Sequence, residues 1–413
     1  MTESHGTSNH KHNTPSSFRR QLKQIAENPQ ENTMTTERKT ELENLLRHVV
    51  AELDLTPSER DTVEKRYQTI SEWLEDPKGT LAIYMPHIYP HGSFRLGTVV
   101  RPLGEQVEFD LDFVCRLKNG DGLDQETLRD LIGDRLKANG KWEGMITPKT
   151  RCWRLNYANE FHVDIMPAIK MPSTTNGGIL ITDRDYEDWK ASNPRGYAEW
   201  FDRQMTPVRR NIRAGMMIKM AAEDLPDEDK IKTPLQRAIQ ILKRHRDIYF
   251  EKDQKDRPGS IILTTLAAKA YRQQESLIDT LLEVAEAMPT EIEYEQGFPV
   301  VSNPALLSEN LAEKWKEHPQ RLVKFEGWLD QLQADVRAFI VSDDKFALQR
   351  LMGEKFGNRV VNGAFEKRAA EMKFEEGQDR ISVVSGSIAP VMSRPVPKHD
   401  FFGGCDASFA YRW

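Results

Sequence analysis

Aspartates on the outward face of an otherwise apolar strand constrain this chain more than any other feature. In the segment EFDLDFV, Phe109, Leu111 and Phe113 share one face of a strand, so Asp110 and Asp112 lie together on the other. Two like charges about 4 Å apart repel by roughly 4 kcal/mol at an effective dielectric constant near 20. The pattern therefore predicts that a cation binds to this face.

The segment FHVDIMPAI repeats the arrangement. Phe161, Val163 and Ile165 share a face, and Asp164 lies on its reverse. If the two strands pair, three carboxylates converge on a small open platform. Hard oxygen ligands of this kind suit Mg²⁺, for which Mn²⁺ can substitute, and two such ions about 3.5–4 Å apart serve phosphoryl or nucleotidyl transfer. The alternative is that the carboxylates face solvent at a sheet edge, as a lone Asp-x-Asp would suggest.

A Gly-Ser turn precedes the first aspartate strand, in HGSFRLG. Gly92 has no side chain, so a phosphate can approach the backbone closely. Successive amide groups and the Ser93 hydroxyl can then cradle phosphate oxygens. Arg95 either adds positive charge there or pairs with an acidic neighbour. Residues 102–104 supply a turn back to the aspartate strand, and this order of features favours a nucleotide-binding site over a solvent-facing strand.

The length of 413 residues allows two domains with their own cores. The predicted fold class is α+β (mixed α/β), with a core sheet and flanking helices followed by a C-terminal helical domain. The predicted divisions are a disordered polar tail at 1–34, a catalytic domain at 35–215, a helical substrate-binding domain at 216–375 and an extended tail at 376–413.

The predicted elements follow from hydrophobic periodicity and from turn and cap signals. Strands are expected near 83–90, 107–115, 152–157 and 160–166. Helices are expected as two segments between 36 and 74, and near 124–138, 196–206, 209–222, 234–251, 260–274, 275–287, 307–317, 320–342, 344–353 and 360–373. Thr56 with Glu59 and Thr233 with Gln236 are expected to form capping boxes at two helix N-termini.

Composition excludes several classes of protein. The net charge of −6 argues against a stable DNA or RNA partner, because phosphate-binding proteins usually carry a basic surface. No run of about 18 apolar residues is present, so no membrane span is expected. The three cysteines are widely spaced, which excludes a disulfide framework and suits a reducing cytoplasm, and the N-terminus lacks the apolar segment of a secretory signal.

The motifs resemble those of the DNA polymerase β nucleotidyltransferase superfamily, and most closely the bacterial cGAS/DncV-like nucleotidyltransferases. The resemblance covers residues 36–375 and rests on PHGSFRLGT, EFDLDFV, FHVDIMPAI, NPRGYAEWF, KTPLQRAIQILKRHRD and PGSIILTTLAAKAY. It implies a synthase of cyclic di- or trinucleotide signals in anti-phage (CBASS) defence. Two features depart from the pattern. Sixteen residues separate Ser93 from Asp110, and the chain ends in Tyr411-Arg412-Trp413, which puts a conjugation of the C-terminus in doubt.

The resemblance also implies roles for individual residues. Asp110 and Asp112 would hold both metal ions, and Asp164 would ligate the catalytic ion and help to deprotonate the acceptor hydroxyl. Lys243 would reach the donor triphosphate and Ser260 a phosphate or sugar oxygen. The structural alternative for Lys243, and for its neighbour Arg244, is a solvated basic face of a surface helix.

Other side chains in these motifs are expected to be structural. His245 is read as a satisfied interior histidine, and Asn303 and Glu309 as structural residues in a loop before a helix. Tyr197, Trp200 and Phe201 are read as packing residues between the two lobes, with base stacking as the alternative.

The expected substrates are ATP, GTP or both, with pyrimidine nucleotides open, and the expected partners are a downstream effector of the product and a regulatory protein or metabolite. One alternative function is a template-independent RNA tailing enzyme, because GSFRLG resembles the corresponding turn of poly(A) polymerases. The other is a catalytically silent nucleotide sensor. Base selectivity, ring size and linkage stay open.

Overall fold

A computed structural model describes residues 29–102, 109–157, 161–172, 177–185, 189–219, 231–377, 381–384 and 387–390. The first half contains α1 (Pro29–Leu53), α2 (Pro57–Leu74), β1 (Pro86–His91), α3 (Gly92–Arg95), β2 (Phe109–Leu117), α4 (Gln125–Lys137), β3 (Ile146–Pro148), β4 (Trp153–Tyr157), β5 (Phe161–Lys170), β6 (Ile179–Ile181), β7 (Lys190–Ser192) and α5 (Pro194–Lys219). The second half contains α6 (Pro234–Tyr249), α7 (Ser260–Ala270), α8 (Leu277–Ala287), β8 (Glu293–Glu295), β9 (Phe298–Val300), β10 (Ser302–Asn303), β11 (Leu306–Asn310), α9 (Lys314–Glu317), α10 (Gln320–Val341), α11 (Lys345–Phe356), α12 (Asn358–Gly377), β12 (Ile381–Val384) and β13 (Ser387–Pro390).

Seven of the described strands form one mixed sheet in the order β1-β2-β5-β4-β3, with β6 and β7 added alongside the end of β5. The β2 and β5 strands are parallel, whereas β1 pairs antiparallel with β2 and β4 pairs antiparallel with β5. The two aspartate strands are therefore neighbours in the middle of the sheet. The predicted α+β fold class is confirmed.

The apolar face of the sheet packs against α2 and α4. The buried residues of this core include Val63, Ile70, Leu74, Leu111, Phe113, Leu128, Ile132, Leu136, Leu155, Val163 and Ile165. The alternation predicted for EFDLDFV and FHVDIMPAI is confirmed for the residues whose burial is described, because Leu111, Phe113 and Val163 are fully buried. This core leaves the opposite face, with its aspartates, open.

A second core joins the helices of the C-terminal half to the first helix. Leu42, Leu46 and Val49 of α1 pack in one cluster with residues of α6 to α8 and α10 to α12. Ion pairs add to this packing, since Arg368 of α12 makes a forked contact with Glu41 of α1, with a shortest distance of 2.7 Å. The N-terminal helix thus belongs to the helical core and not to the core under the sheet.

Both predicted capping boxes are present. The Thr56 side chain accepts a hydrogen bond from the amide of Glu59, whose carboxylate accepts from the amide of Thr56. Thr233 and Gln236 form the same reciprocal pair at the start of α6. Each pair satisfies two amides that a helix N-terminus otherwise leaves unbonded.

Some predicted element bounds are wrong. Residues 29–34, expected to be disordered, belong to α1. The helices predicted at 196–206 and 209–222 form one helix, α5, as far as Lys219, with Pro207 inside it, and residues 220–222 lie outside the described residues. Proline normally breaks a helix because it lacks the amide hydrogen. Here the buried stripe of Tyr197, Phe201, Met205 and Val208 continues at helical spacing past Pro207 and packs in the helical core, which holds the helix together.

The predicted helix at 307–317 is also wrong, because residues 302–310 form the hairpin β10–β11 and only Lys314–Glu317 are helical. The Asn303 side chain accepts from the amide of Ala305 at 2.9 Å and donates to Glu309 at 2.7 Å. Such local side-chain bonds favour turns over helices. They confirm the structural reading of Asn303 and Glu309, although not the expected loop.

Among the described residues, no helix is both long enough and apolar enough to cross a bilayer. Residues 1–28 and most of 378–413, in the predicted tails, lie outside the described residues.

Candidate active site

One row of side chains crosses four strands on the open face of the sheet. His91 of β1 is opposite Asp112 of β2, Asp112 is opposite Asp164 of β5, and Asp164 is opposite Arg154 of β4. Asp110 lies two residues before Asp112 and so points to the same face. The strand pairing on which the predicted convergence of three aspartates depended is confirmed.

Arg154 contacts two of the three aspartates. Its Nε and Nη2 atoms donate to Oδ1 and Oδ2 of Asp164, both at 2.7 Å, and Nη2 lies 3.1 Å from Oδ1 of Asp110. A forked contact of this kind is among the strongest that a carboxylate makes in a protein. In this structure, the guanidinium supplies the positive charge that the sequence pattern predicts for this face.

Within the described residues, Asp112 has no such forked contact, and its electrostatic environment differs. Burial, with repulsion from Asp164 and Asp110, raises the pKa of Asp112 to about 7, against the opposing charges of Lys243 and Arg154. The neighbouring His91 gives no compensating charge at neutral pH, because burial lowers its pKa to about 4. The site therefore disfavours a negative charge on Asp112 and would favour a cation bound beside it.

The donor set fits a divalent cation that shares its coordination with a substrate. Within the described residues, no three His, Cys, Asp or Glu side chains are grouped so that they alone could enclose a metal ion. Mg²⁺ in proteins is usually bound by one or two carboxylates, with waters and substrate phosphates in the other positions. The carboxylate of Asp112, next to Asp164 and against Gly92 at the start of α3, matches that mode of binding and not a closed metal centre.

The Gly-Ser turn lies directly against Asp112. Gly92 has a φ of +60°, and a Cβ atom at this position would lie 2.4 Å from Oδ2 of Asp112. Only glycine combines that backbone conformation with so close an approach. The Ser93 carbonyl accepts from the amide of Thr98 at 2.9 Å, which closes the turn. The structure thus brings the predicted phosphate cradle and the predicted metal ligands together.

Lys243 lies beneath this turn. Its ammonium donates to the carbonyl of Thr98 at 2.9 Å and to the Thr98 hydroxyl at 3.1 Å, and the residue is buried. Burial and the nearby Arg246 lower the pKa of Lys243 to about 7. The alternative of a solvated basic face is wrong for Lys243, and it is equally wrong for Arg244, which is buried and donates to the carbonyl of Arg101.

The other two predicted nucleotide-binding residues, Arg95 and Ser260, bond to side chains outside the aspartate row. Arg95 pairs with Asp202 at 2.8 Å, so the alternative that it pairs with an acidic neighbour is the one observed. Ser260 is exposed at the start of α7, where its hydroxyl accepts from Arg246 at 3.0 Å. Among the described residues, neither Arg95 nor Ser260 contacts an aspartate of the row. Their roles toward a nucleotide stay predictions.

His245 is an interior histidine, as predicted. Its Nδ1 accepts from the indole of Trp328 at 2.9 Å, so Nε2 carries the hydrogen that is donated to Asp335, also at 2.9 Å. Tyr197 and Phe201 are buried in the helical core and Trp200 packs against it, in line with their structural reading.

Comparison with known proteins decides the family. Residues 17–204 match the model of the Second Messenger Oligonucleotide or Dinucleotide Synthetase (SMODS) domain. A c-di-GMP synthase of Roseivirga ehrenbergii is 31% identical over 380 residues, which cover 90% of this chain and 99% of that protein. The chain belongs to the bacterial cGAS/DncV-like nucleotidyltransferases. It is accordingly a nucleotidyltransferase that makes cyclic oligonucleotide second messengers.

A second member of this family, the cyclic dinucleotide synthase CdnG of Bradyrhizobium diazoefficiens, is 26% identical over 341 residues, covering 78% of this chain and 81% of CdnG. The solved structure of that CdnG in complex with GTP superposes with a TM-score of 0.66 at 23% identity, over 79% of this chain and 99% of the solved chain. At that identity, the structural likeness shows the shared nucleotidyltransferase fold.

Arg154 is the residue of this nucleotidyltransferase site that sequence reasoning missed. A signal for it exists in the segment WRLNY, where Trp153, Leu155 and Tyr157 are buried and Arg154 alternates with them. Given the hairpin between β4 and β5, this alternation places Arg154 on the same face as Asp164. The segment predicts a strand, but only the pairing of that strand with β5 brings its polar face to the aspartates.

Proposed function

We propose that this chain joins two molecules of GTP into a cyclic dinucleotide, with Asp110, Asp112 and Asp164 as the catalytic carboxylates and two Mg²⁺ ions, or Mn²⁺ ions, as cofactors. The observation that carries the proposal is the position of Asp112, which adjoins both Asp164 and the backbone of Gly92. GTP is favoured because one relative is named a c-di-GMP synthase and another is a cyclic dinucleotide synthase whose solved structure contains GTP.

The predicted site residues would have separate roles in the reaction. The Gly92–Ser93 backbone and the Ser93 hydroxyl bind the triphosphate of the donor nucleotide, with Lys243 supporting the turn through Thr98. A ribose hydroxyl oxygen of the acceptor bonds to the α-phosphorus, the bond to the β-phosphate bridging oxygen breaks, and pyrophosphate leaves. A second such step closes the ring.

The aspartates provide charge and accept a proton. Asp110 and Asp112 would hold the metal ions, which when bound lower the pKa of the acceptor hydroxyl and neutralise the leaving pyrophosphate. Asp164, at the centre of the row, would add a metal ligand and take the hydroxyl proton.

Product analysis tests this proposal. The protein is incubated with all four nucleoside triphosphates and Mg²⁺ or Mn²⁺, and the products are identified by mass spectrometry. A phosphatase-resistant cyclic dinucleotide of guanosine is expected. The double variant Asp110→Ala/Asp112→Ala should lose at least about 1,000-fold in rate while it stays folded, because removal of the metal ligands removes most of the transition-state stabilisation. A matched control is Asp121→Ala, at an exposed aspartate after the same strand.

Three outcomes would contradict the proposal. A wild-type rate in the double variant would remove Asp110 and Asp112 from the mechanism. A ladder of extended products from an oligoadenylate primer and ATP, with no cyclic product, would instead favour an RNA tailing enzyme. Binding of GTP without release of pyrophosphate would favour the silent sensor.

The cellular role belongs to the same proposal. A cyclic dinucleotide acts only through a protein that binds it, so a downstream effector is the expected partner, in anti-phage signalling in the cytoplasm. The widely spaced cysteines are consistent with a reducing compartment. A regulatory protein or metabolite is the remaining expected partner, and strain-level loss of phage resistance on deletion of the gene would test this role.

A further inference from the structure

Arg154 contacts carboxylates that the proposed function assigns to the metal ions. It faces Asp164 directly across the β4–β5 pair, and both carboxylate oxygens of Asp164 accept hydrogen bonds from it. The same guanidinium reaches Asp110, 3.1 Å away. One cation of the protein itself therefore bridges two of the three carboxylates to which the proposed function assigns metal binding.

This contact should compete with a divalent cation on two grounds. Metal coordination uses the carboxylate lone pairs, and the forked contact already engages both oxygens of Asp164. A guanidinium within hydrogen-bond distance of these oxygens also repels any second cation that approaches them. The side chain can give way, because Arg154 is only partly buried, with about a fifth of it (21%) exposed to solvent.

The surroundings of Arg154 do not give it another partner of comparable strength. Within the described part of the chain, the hydrogen bonds and ion pairs of Arg154 go to Asp164 and Asp110 alone. The preceding arginine, Arg151, is engaged elsewhere, since it pairs with the buried Asp183 at 2.6 Å. Arg154 thus contacts the aspartate row and is not part of a wider network of surface ion pairs.

We propose that Arg154 is an internal counter-ion of the metal site: it neutralises Asp164 and Asp110 in the empty enzyme and must release at least one of them before divalent cations bind. The inference rests on the proposed function, because it takes these carboxylates as the metal ligands. Its consequence is that Arg154 sets the metal concentration that the enzyme requires. Charge neutralisation in the empty state also weakens the repulsion among the three neighbouring aspartates.

Direct metal binding tests the proposal without reference to activity. Mn²⁺ is titrated into the nucleotide-free protein, and free Mn²⁺ is measured by electron paramagnetic resonance. The variant Arg154→Gln should bind Mn²⁺ about tenfold more tightly than the wild type, which corresponds to the loss of about 1.4 kcal/mol of competition. Arg154→Lys should fall between the two, because a single ammonium cannot make the forked contact.

A matched control removes the same charge elsewhere in the sheet domain. Arg184 is exposed and lies over the Trp153 ring at 5.4 Å, away from the aspartates in its contacts. Arg184→Gln should leave Mn²⁺ affinity unchanged within about twofold. If Arg154→Gln tightens binding no more than Arg184→Gln does, or weakens it, the counter-ion role is refuted.

The failure of this inference can be separated from the failure of the proposed function. Asp112→Asn should lose Mn²⁺ binding if the carboxylates are the metal site, whatever Arg154 does. If Asp112→Asn loses Mn²⁺ binding and Arg154→Gln keeps the wild-type affinity for Mn²⁺, only the counter-ion role of Arg154 is refuted. If Asp112→Asn keeps the wild-type affinity for Mn²⁺, both the counter-ion role and the proposed metal site are refuted. Should Arg154→Gln fail to fold by circular dichroism, Arg154→Lys decides alone, and a wild-type affinity in that variant refutes the proposal.

Discussion

Gly92 and Asp112 are so close that no side chain fits between them: a Cβ atom at Gly92 would lie 2.4 Å from Oδ2 of Asp112. The φ of +60° at Gly92 adds a backbone conformation that L-residues rarely adopt. Gly92→Ala must therefore displace either the turn or the carboxylate. We expect a loss of at least about 100-fold in kcat/KM for GTP, since a misplacement of about 1 Å can cost that much.

A glycine in open surroundings provides the control for this variant. An added Cβ at Gly327, inside α10, meets no atom within 4 Å. Gly327→Ala should keep full activity and raise the free energy of unfolding by about 0.5–1 kcal/mol, because alanine loses less backbone entropy in a helix. Steady-state kinetics and urea unfolding measure both variants. Wild-type kinetics in Gly92→Ala would show that the turn does not position the reacting groups.

The sequence predicted those parts of the site that depend on a local period. A strand alternates its faces, so the common orientation of Asp110 and Asp112 followed from EFDLDFV alone, and both capping boxes followed from residues three positions apart. The structure adds that Asp164 is a direct neighbour of Asp112, which local patterns predict only if the strands pair.

The parts that sequence reasoning missed depend on contacts between distant segments. Arg154 belongs to the site only because β4 pairs with β5. The ammonium of Lys243 is covered by Thr98, which lies 145 positions earlier in the chain. Nothing in the helix sequence distinguishes this lysine from one on a solvated face, so the alternatives had to stay open. The hairpin at 302–310 was missed for a related reason, because its side-chain bonds suppress the helix that the apolar pattern suggested.

Lys243 is expected to support the Gly-Ser turn in addition to any contact with substrate. Lys243→Met removes the two hydrogen bonds to Thr98 and leaves a buried carbonyl without this partner. The expected cost is about 1–3 kcal/mol of unfolding free energy, together with a higher KM for GTP as the turn loosens. Thermal unfolding and initial rates give the two values.

Lys252 provides the comparison for Lys243. It lies just beyond the end of the same helix and is exposed. Lys252→Met should change neither the unfolding temperature nor the KM for GTP. An unfolding temperature and KM for Lys243→Met equal to those of Lys252→Met would mean that the buried ammonium supports neither the fold nor the turn.

His245 is expected to matter for stability and not for chemistry. Its two ring nitrogens bond to Trp328 and Asp335 within the helical core, and burial lowers its pKa, so it is neutral at pH 7. His245→Leu leaves an indole hydrogen and a carboxylate without their partner, at a cost of about 2–5 kcal/mol. The rate per folded molecule, measured at low temperature, should stay within about twofold of the wild type. A folded variant without activity would contradict the structural role.

The contact between Glu371 of α12 and His48 of α1 should make stability depend on acid pH. The hydrogen bond from His48, with the charges of His48 and Arg368, lowers the pKa of Glu371 from 4.5 to about 2 in spite of its partial burial. A carboxyl group whose pKa is lowered in the folded state stabilises the fold at every pH above its unfolded pKa. The contribution is therefore complete above about pH 4.5 and is lost as the pH falls from there through about 2.

The variant Glu371→Gln measures that contribution. At about 1.4 kcal/mol for each pKa unit, the wild type should exceed the variant by about 3 kcal/mol in unfolding free energy at pH 7. The difference should shrink steadily below pH 4.5, because the unfolded wild-type carboxyl group then takes up a proton and loses the advantage of its charge. Urea unfolding at several pH values between 7 and 3 tests this course. A difference that stays constant over the whole range would show that the ionised carboxylate does not join the first and last helices of the core.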